Sequence, residues 1–362
     1  MPHMQVPTEP EDITAEWLAR TLEAGDHTSG HRLRSVSAQR VESGIGYISR
    51  TFRVQLEWDH PDATPRSLIA KLPNPARLDD LDASGKRMFR REAMFHREVA
   101  PAAPVRTPLA FAAEVDADTG VAFLLFEDLS SLKSYGDDET VSLEKVQNCL
   151  AQLAALHALY WNSKELAEMD WLGHPALTGI DTISSEEFVR NWTSMVDSGA
   201  HELSPAHFRL AELLSGRMEL VYEALNAAPE TLVHADLHQE NLFFDGDDAV
   251  FIDWQLAERA PPAKDFAKLT AACLEPAQYA SEAPALLRHY HSLLTGDGGV
   301  NYSYEDLERH IRLAMCHYMA LMMSGADFAA QKARGTARTD FTRLRILPAA
   351  GRDEVIAEVE AL

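Results

Sequence analysis

Residues 232–255, LVHADLHQENLFFDGDDAVFIDWQ, carry four side chains whose types and spacing suit chemistry on phosphates: His234, Asp236, Asn241 and Asp253. Phosphoryl transfer asks little covalent work of a protein. It needs a carboxylate to take the proton of an attacking hydroxyl, and oxygen donors to hold Mg2+ on the phosphates of a nucleotide. Asp236 is the candidate base, and His234 is the residue that braces its loop. The Asn241 amide oxygen and the Asp253 carboxylate are hard donors that suit Mg2+. A second chemistry is also open, because His234, Asp236 and His238 form a His-x-Asp-x-His set able to bind zinc for hydrolysis. That alternative leaves Asn241 and Asp253 without a part. In the first reading His238 is a polar loop residue near the acceptor.

These residues need a hairpin to position them. Leu242–Phe244 and Ala249–Ile252 are apolar runs, and Asp245-Gly246-Asp247-Asp248 between them is turn chemistry, so Asp253 falls at the exit beside the entry loop. Upstream, residues 37–41 and 47–58 alternate as strands around Ser43-Gly44-Ile45-Gly46. Gly44 and Gly46 suit either a plain hairpin turn or a loop whose backbone N–H groups approach phosphate oxygens. Lys71, in the strand Leu-Ile-Ala-Lys-Leu, could snorkel to solvent or grip the α and β phosphates, and the second role needs a carboxylate to hold it. A helix over 83–99 offers Glu92 within its apolar stripe of Met88, Phe95 and Val99; Glu98 is the other choice, on a less apolar face. Strands over 109–115 and 121–127 follow. The second ends in Phe-Leu-Leu-Phe-Glu-Asp-Leu, which has the look of a hinge where backbone groups from Glu127 to Leu129 meet an adenine.

From Ser142 onward the pattern is helical. A helix through Leu143, Val146, Leu150 and Leu153 carries His157, read as a satisfied core histidine, and further helices are expected over 186–196, 206–225, 279–294 and 304–323. Pro261 and Pro262 precede a helix that Asp265 is expected to cap, and 334–345 is basic, suited either to close over the acceptor site or to be a surface tail, the tail being the preferred reading. The expected organisation is α+β: an N-terminal nucleotide-binding lobe over 1–129, a linker over 130–141, and a helical catalytic and acceptor-binding lobe over 142–362.

HADLHQEN resembles the HGDLHxxN loop of the aminoglycoside phosphotransferase and choline kinase superfamily, with Ala235 where the family pattern has glycine. IDWQLAERAPPAKDFAKL is similar to the IDWQ…GPPxxDLA segment of its ecdysteroid-kinase-like members. The resemblance runs from about Val41 to Leu269, and Phe-Arg-Arg-Glu-Ala-Met-Phe-His matches the family helix at Glu92. It implies a two-lobed protein-kinase-like fold with nucleotide between the lobes, ATP or GTP with Mg2+ as cofactors, and a small-molecule alcohol as acceptor. Asp-Trp-Gln stands where protein kinases have Asp-Phe-Gly, and no Ala-Pro-Glu segment follows, which points away from a protein acceptor. A nucleotide-binding module without catalysis is the other class of reading. It predicts a missing base or metal ligand, and none is missing from the sequence.

Composition bounds the partners. The 362 residues carry 33 Lys and Arg against 56 Asp and Glu, a net charge of −23. So acidic a chain is a poor fit for nucleic acid or an anionic membrane, and is compatible with a cationic acceptor or simply with solubility. Cys149, Cys273 and Cys316 form no paired framework, and neither a signal peptide nor a membrane span is evident, so a cytoplasmic protein is expected.

Overall fold

A computed structural model describes all residues except 1–5, 26, 28–29, 42–48, 75–82, 117–118, 137–138, 174–181, 200, 297 and 325–340. Gly44 and Gly46 therefore lie outside the described residues, as do residues 334–340. The chain divides into two units, Met1–Leu132 with Phe251–Leu256, and Lys133–Val250 with Ala257–Leu362.

Alternation builds the first unit. After helix α1 (Ala15–Ala24) come strands β1 (Leu33–Arg40), β2 (Ser49–Trp58) and β3 (Ser67–Pro73), helix α2 (Ala83–Glu98), then β4 (Ala110–Val115) and β5 (Ala122–Glu127). The strands form one antiparallel sheet in the order β1-β2-β3-β5-β4. Successive side chains of a strand point to opposite faces. On β5, Phe123 and Leu125 join Leu18 and Leu22 of α1, while Ala122, Leu124 and Phe126 join Phe89 and Ala93 of α2. Its apolar run is thus covered on both sides. On β3, Leu68, Ala70 and Leu72 pack in the α1 cluster and Ile69 against the α2 cluster, so Lys71 falls on the α2 face.

The second unit opens with β6 (Lys133–Ser134) and helices α3 (Leu143–Leu159), α4 (Lys164–Glu168), α5 (Ser185–Ser198), α6 (Pro205–Leu214) and α7 (Met218–Asn226). The single helix expected over 206–225 is two. Ser215 and Gly216, weak helix formers, fall at the break, and Arg217 turns its guanidinium to the carbonyls of Val359 and Glu360. Four short strands follow: β7 (Thr231–Val233), β8 (Leu242–Asp245), β9 (Asp248–Phe251) and β10 (Glu258–Ala260). β8 and β9 make the expected hairpin, with Gly246 at φ +62° in its turn, and β10 pairs with β7, a ribbon the sequence did not announce.

Helices α8 (Ala263–Cys273), α9 (Pro276–Thr295), α10 (Tyr304–Met323), α11 (Phe341–Ala350) and α12 (Asp353–Glu360) close the chain. The end of the basic 334–345 segment is no surface tail. Arg345 is buried and donates to the carbonyls of Ala272 and Glu139, so a guanidinium satisfies backbone groups inside the unit. All three cysteines are free and buried. Among the described residues no helix is long and apolar enough to cross a membrane.

Candidate active site

Lys71 and Glu92 meet because two periods coincide. The strand's period of two puts Lys71 on the α2 face, and Glu92 sits in the buried stripe of α2 beside Phe89, Ala93 and Phe95. The Lys71 Nζ donates to Glu92 Oε1 at 2.6 Å and to Asp253 Oδ1 at 3.0 Å. Glu98, the other acid on the helix, pairs with Arg97 instead. Burial pushes the Glu92 carboxyl up, the Lys71 charge pulls it back and the neighbouring Asp253 carboxylate raises it again, leaving it at about 7. Burial works against the Lys71 ammonium, but Asp253 and Glu92 more than offset this and hold its pKa above the ordinary lysine value.

Asp253 sits in the left-handed region at φ +65°, a strained setting for a residue with a Cβ. The next residue anchors it. The Trp254 ring stacks on Phe95 of α2, centroids 3.9 Å apart and 8° from parallel, and its Nε1 donates to the Phe251 carbonyl at 3.1 Å. Further along the unit, the Glu127 N–H donates to the Leu109 carbonyl at 3.0 Å, and its carboxylate accepts from Leu109 N–H. Asp128 is fixed by Ser67 Oγ at 2.7 Å, Arg53 Nε at 2.8 Å and Ser130 N–H at 3.0 Å, and Leu129 is buried with its carbonyl accepting from Leu132 N–H.

The loop after β7 is assembled wholly within the second unit. His234 is fully buried, and Ala235 takes φ +67°, the conformation for which the family pattern has glycine. Asp265, expected to cap α8, does something else. Its carboxylate accepts from the backbone N–H groups of His234 and Ala235, both at 2.8 Å, and lies 3.2 Å from His157 Nε2. The reason is burial: two N–H groups in a tight loop without solvent must find an acceptor, and a fully buried carboxylate must find donors. His157 is the expected core histidine, its Nδ1 2.6 Å from the Tyr290 hydroxyl. Tyr318 of α10 donates to the Ala235 carbonyl at 3.1 Å.

Asp236 projects from this braced loop, half-buried. Its N–H donates to His234 Nδ1 at 3.3 Å, and its carbonyl accepts from Asn241 Nδ2 at 2.9 Å, which leaves Oδ1 as the acceptor atom of Asn241. The Lys268 Nζ lies 3.5 Å from Asp236 Oδ1, and His238 Nε2 lies 3.9 Å from Oδ2. Burial raises the Asp236 pKa, but Lys268, His238 and His234 outweigh it and hold the carboxyl below the usual aspartate range. Among the described residues no three His, Cys, Asp or Glu side chains gather as a metal site, so the His-x-Asp-x-His set does not converge for zinc.

Sequence reasoning missed Lys268. All eleven residues of α8 are buried, Lys264 and Lys268 included. Two lysines four apart, in a stretch whose other members are mostly Ala, Phe, Leu and Thr, were the available signal.

A family model for ecdysteroid kinase-like proteins matches residues 43–297. No curated protein matches the chain. One similar solved structure is a protein described as a candidate aminoglycoside phosphotransferase from Ralstonia eutropha JMP134, at 16% identity and a TM-score of 0.52, with 95% of this chain and 98% of that chain covered. Another is a choline kinase from Cryptosporidium parvum Iowa II, at 13% identity and a TM-score of 0.51, with 87% and 92% covered. At such identities the likeness speaks for the fold, which is the α+β arrangement of protein-kinase-like phosphotransferases. The matched residues make up well over half of the sequence, and the chain belongs to the ecdysteroid kinase-like family.

Proposed function

We propose that this protein transfers the γ-phosphoryl group of ATP or GTP to the hydroxyl of a small-molecule alcohol. The observation that carries the reading is the Lys71 ammonium, held by Glu92 at 2.6 Å and by Asp253 at 3.0 Å. A surface lysine needs no such arrangement; a lysine that must present one fixed charge to phosphates does. Gly44, Gly46 and the backbone from Glu127 to Leu129 complete the nucleotide contacts in this proposal.

Asp236 is the base. Its carboxylate stays ionised at neutral pH and takes the proton of the acceptor hydroxyl, while His234 braces the loop through the Asp236 N–H. Asn241 Oδ1 and the Asp253 carboxylate are the donors we assign to Mg2+, and their all-oxygen chemistry fits that ion. Bound there, Mg2+ supplies neutralisation of phosphate charge. Support for a small-molecule acceptor comes from the family and from the choline kinase fold likeness.

Thermal unfolding with and without Mg·ATP, repeated with Mg·GTP and across a panel of hydroxylated compounds, tests the reading. A ligand at a hundred times its dissociation constant stabilises the folded form by about 2.7 kcal/mol. The midpoint is expected to rise with nucleotide, to lose that rise in Asp253→Ala, and to rise further with a compound that then supports ADP release. No rise with either saturating nucleotide would sink the proposal.

A further inference from the structure

His157 of α3 is fully buried, and both of its ring nitrogens are engaged within the second unit. Nε2 lies 3.2 Å from Asp265 Oδ2 of α8, and Nδ1 lies 2.6 Å from the Tyr290 hydroxyl of α9. Burial raises the Asp265 pKa, but the hydrogen bond from His157 leads the effects that outweigh it and hold the carboxyl below the usual aspartate range. An ionised carboxylate only accepts, so Nε2 carries the hydrogen between them. The same carboxylate takes the His234 N–H on Oδ2 and the Ala235 N–H on Oδ1, both at 2.8 Å. Thr231 Oγ1 donates to the His157 carbonyl at 2.8 Å, so the strand leading into the loop is tied to the same turn of α3.

We propose that His157 and Tyr290 are positioning residues for the loop that carries Asp236, and that they act through Asp265. The purpose rests on the phosphotransferase reading; the geometry stands without it. The torsion that turns an aspartate carboxylate is broad, so a third donor beside the two loop N–H groups narrows its setting. Turning the imidazole over would set carbon against Asp265 and Tyr290 alike. The Tyr290 bond therefore holds the ring in the orientation that faces Asp265. Tyr290 keeps its hydroxyl hydrogen, because burial, with Asp265 and Tyr302 beside it, pushes its pKa well above the ordinary tyrosine value. Asp265 in turn supplies the acceptor for the N–H of Ala235, whose φ of +67° must be enforced by its surroundings. Asp236 is the next residue, so the direction of its side chain depends on that backbone setting.

The test follows amide hydrogen exchange of the full chain by NMR, comparing the His234 and Ala235 N–H groups with amides in the middle of α10. Tyr290→Phe keeps the ring and deletes only the hydroxyl. Exchange at the two loop amides should quicken by about 2- to 12-fold, the range for one hydrogen bond, beyond any change in α10. His157→Leu should quicken it further. His157→Gln, whose amide nitrogen can stand where Nε2 stands and donate to Asp265, should recover much of the protection. A side chain that merely stabilises the fold would move loop and α10 amides by the same factor, and that result in Tyr290→Phe, the variant least able to misfold, overturns the proposal. Turnover gives the second readout, as ADP release from Mg·ATP with water or an identified alcohol as acceptor. In His157→Leu kcat should fall by up to about 10²-fold, the cost of a misplacement near 1 Å, with KM for Mg·ATP unchanged and with partial recovery in His157→Gln. Unchanged kcat in a variant whose loop amides are released would also overturn it. A protein that shows the local exchange effect but no turnover of its own would sustain the assignment of His157 and Tyr290 to the loop and defeat the phosphotransferase reading, so the two fail separately.

Discussion

Each unit brings a lysine to a carboxylate at its candidate site, Lys71 to Glu92 and Lys268 to Asp236, and the two are poised in opposite senses. In the first unit one ammonium, Lys71, is shared by two carboxylates, Glu92 and Asp253. In the second, one carboxylate, Asp236, has Lys268 and two imidazoles around it. Burial pushes Glu92 and Asp236 the same way, toward the neutral acid. The surplus charge nearby decides the outcome: Glu92 ends at about 7, while Asp236 stays below its usual value. A group that must stay negative to accept a proton has a lysine for company. A cation that must stay positive to grip phosphates has acids for company.

The largest effect that can break this comparison is kinetic. Asp236→Asn keeps the shape of the side chain and removes its capacity to take a proton. ADP release should fall by about 10²- to 10⁴-fold, the usual contribution of a positioned acid or base, while the thermal shift with Mg·ATP persists. Lys71→Met should show the reverse emphasis, with the nucleotide shift itself reduced. Turnover in Asp236→Asn equal to that of the unaltered protein would remove Asp236 from the mechanism and leave its cationic surroundings without a purpose.

A second test reads the opposite poise as stability. The Glu92 carboxyl rises from 4.5 to about 7 on folding, so between those values the folded chain binds more protons than the unfolded one. Its contribution is fully present below pH 4.5 and is lost as pH rises through about 7. The loss amounts to about 3 kcal/mol at 1.36 kcal/mol per unit. Asp236 has the reverse sign: its contribution is present above pH 3.8 and lost as pH falls below it. His96 of α2, whose pKa burial and then the Lys71 charge push down to about 3, adds stability that falls as pH drops from 6.5, and so masks part of the Glu92 slope. The informative quantity is therefore a difference between variants. Urea unfolding from pH 4.5 to 7.5 should show Glu92→Gln gaining on the unaltered protein as pH rises, with Asp236→Asn running parallel to it. A constant offset for Glu92→Gln would show that Glu92 does not titrate in this window.

Much of the first unit was legible because its contacts obey short periods. Lys71 on an alternating strand and Glu92 on a helical stripe each faced inward by counting alone, and an inward charge demands its opposite. The same counting misled farther on. Residues 206–225 keep a helical pattern across Gly216, yet two helices form, because Arg217 is drawn to the carbonyls of Val359 and Glu360, over a hundred residues away in sequence. Asp265 had the look of a cap from its place after Pro261 and Pro262, whereas its partners are His234 and Ala235 of a distant loop. Lys268 escaped notice since period alone cannot show that α8 is enclosed on every side; with solvent on one face, Lys264 and Lys268 would form an ordinary polar stripe. What stayed hidden is what tertiary enclosure creates.

The smallest predicted effect asks whether the two supports that Tyr318 gives the second site can be separated. Its hydroxyl holds the Ala235 carbonyl at 3.1 Å, and its ring lies 5.2 Å from the Lys268 ammonium. Tyr318→Phe deletes the first and keeps the second. With Ala235 buried, its carbonyl would lose a partner and its φ of +67° would lose one of the bonds that enforce it. The cost should be about 1 to 2 kcal/mol in urea unfolding, the range for one buried hydrogen bond with an acceptor left behind. The midpoint of the Asp236 carboxyl, followed by 13C NMR, should not move, since no charge has been removed. If it rises in Tyr318→Phe, loop geometry rather than neighbouring charge controls the carboxylate, and the contrast between the two units loses its electrostatic basis.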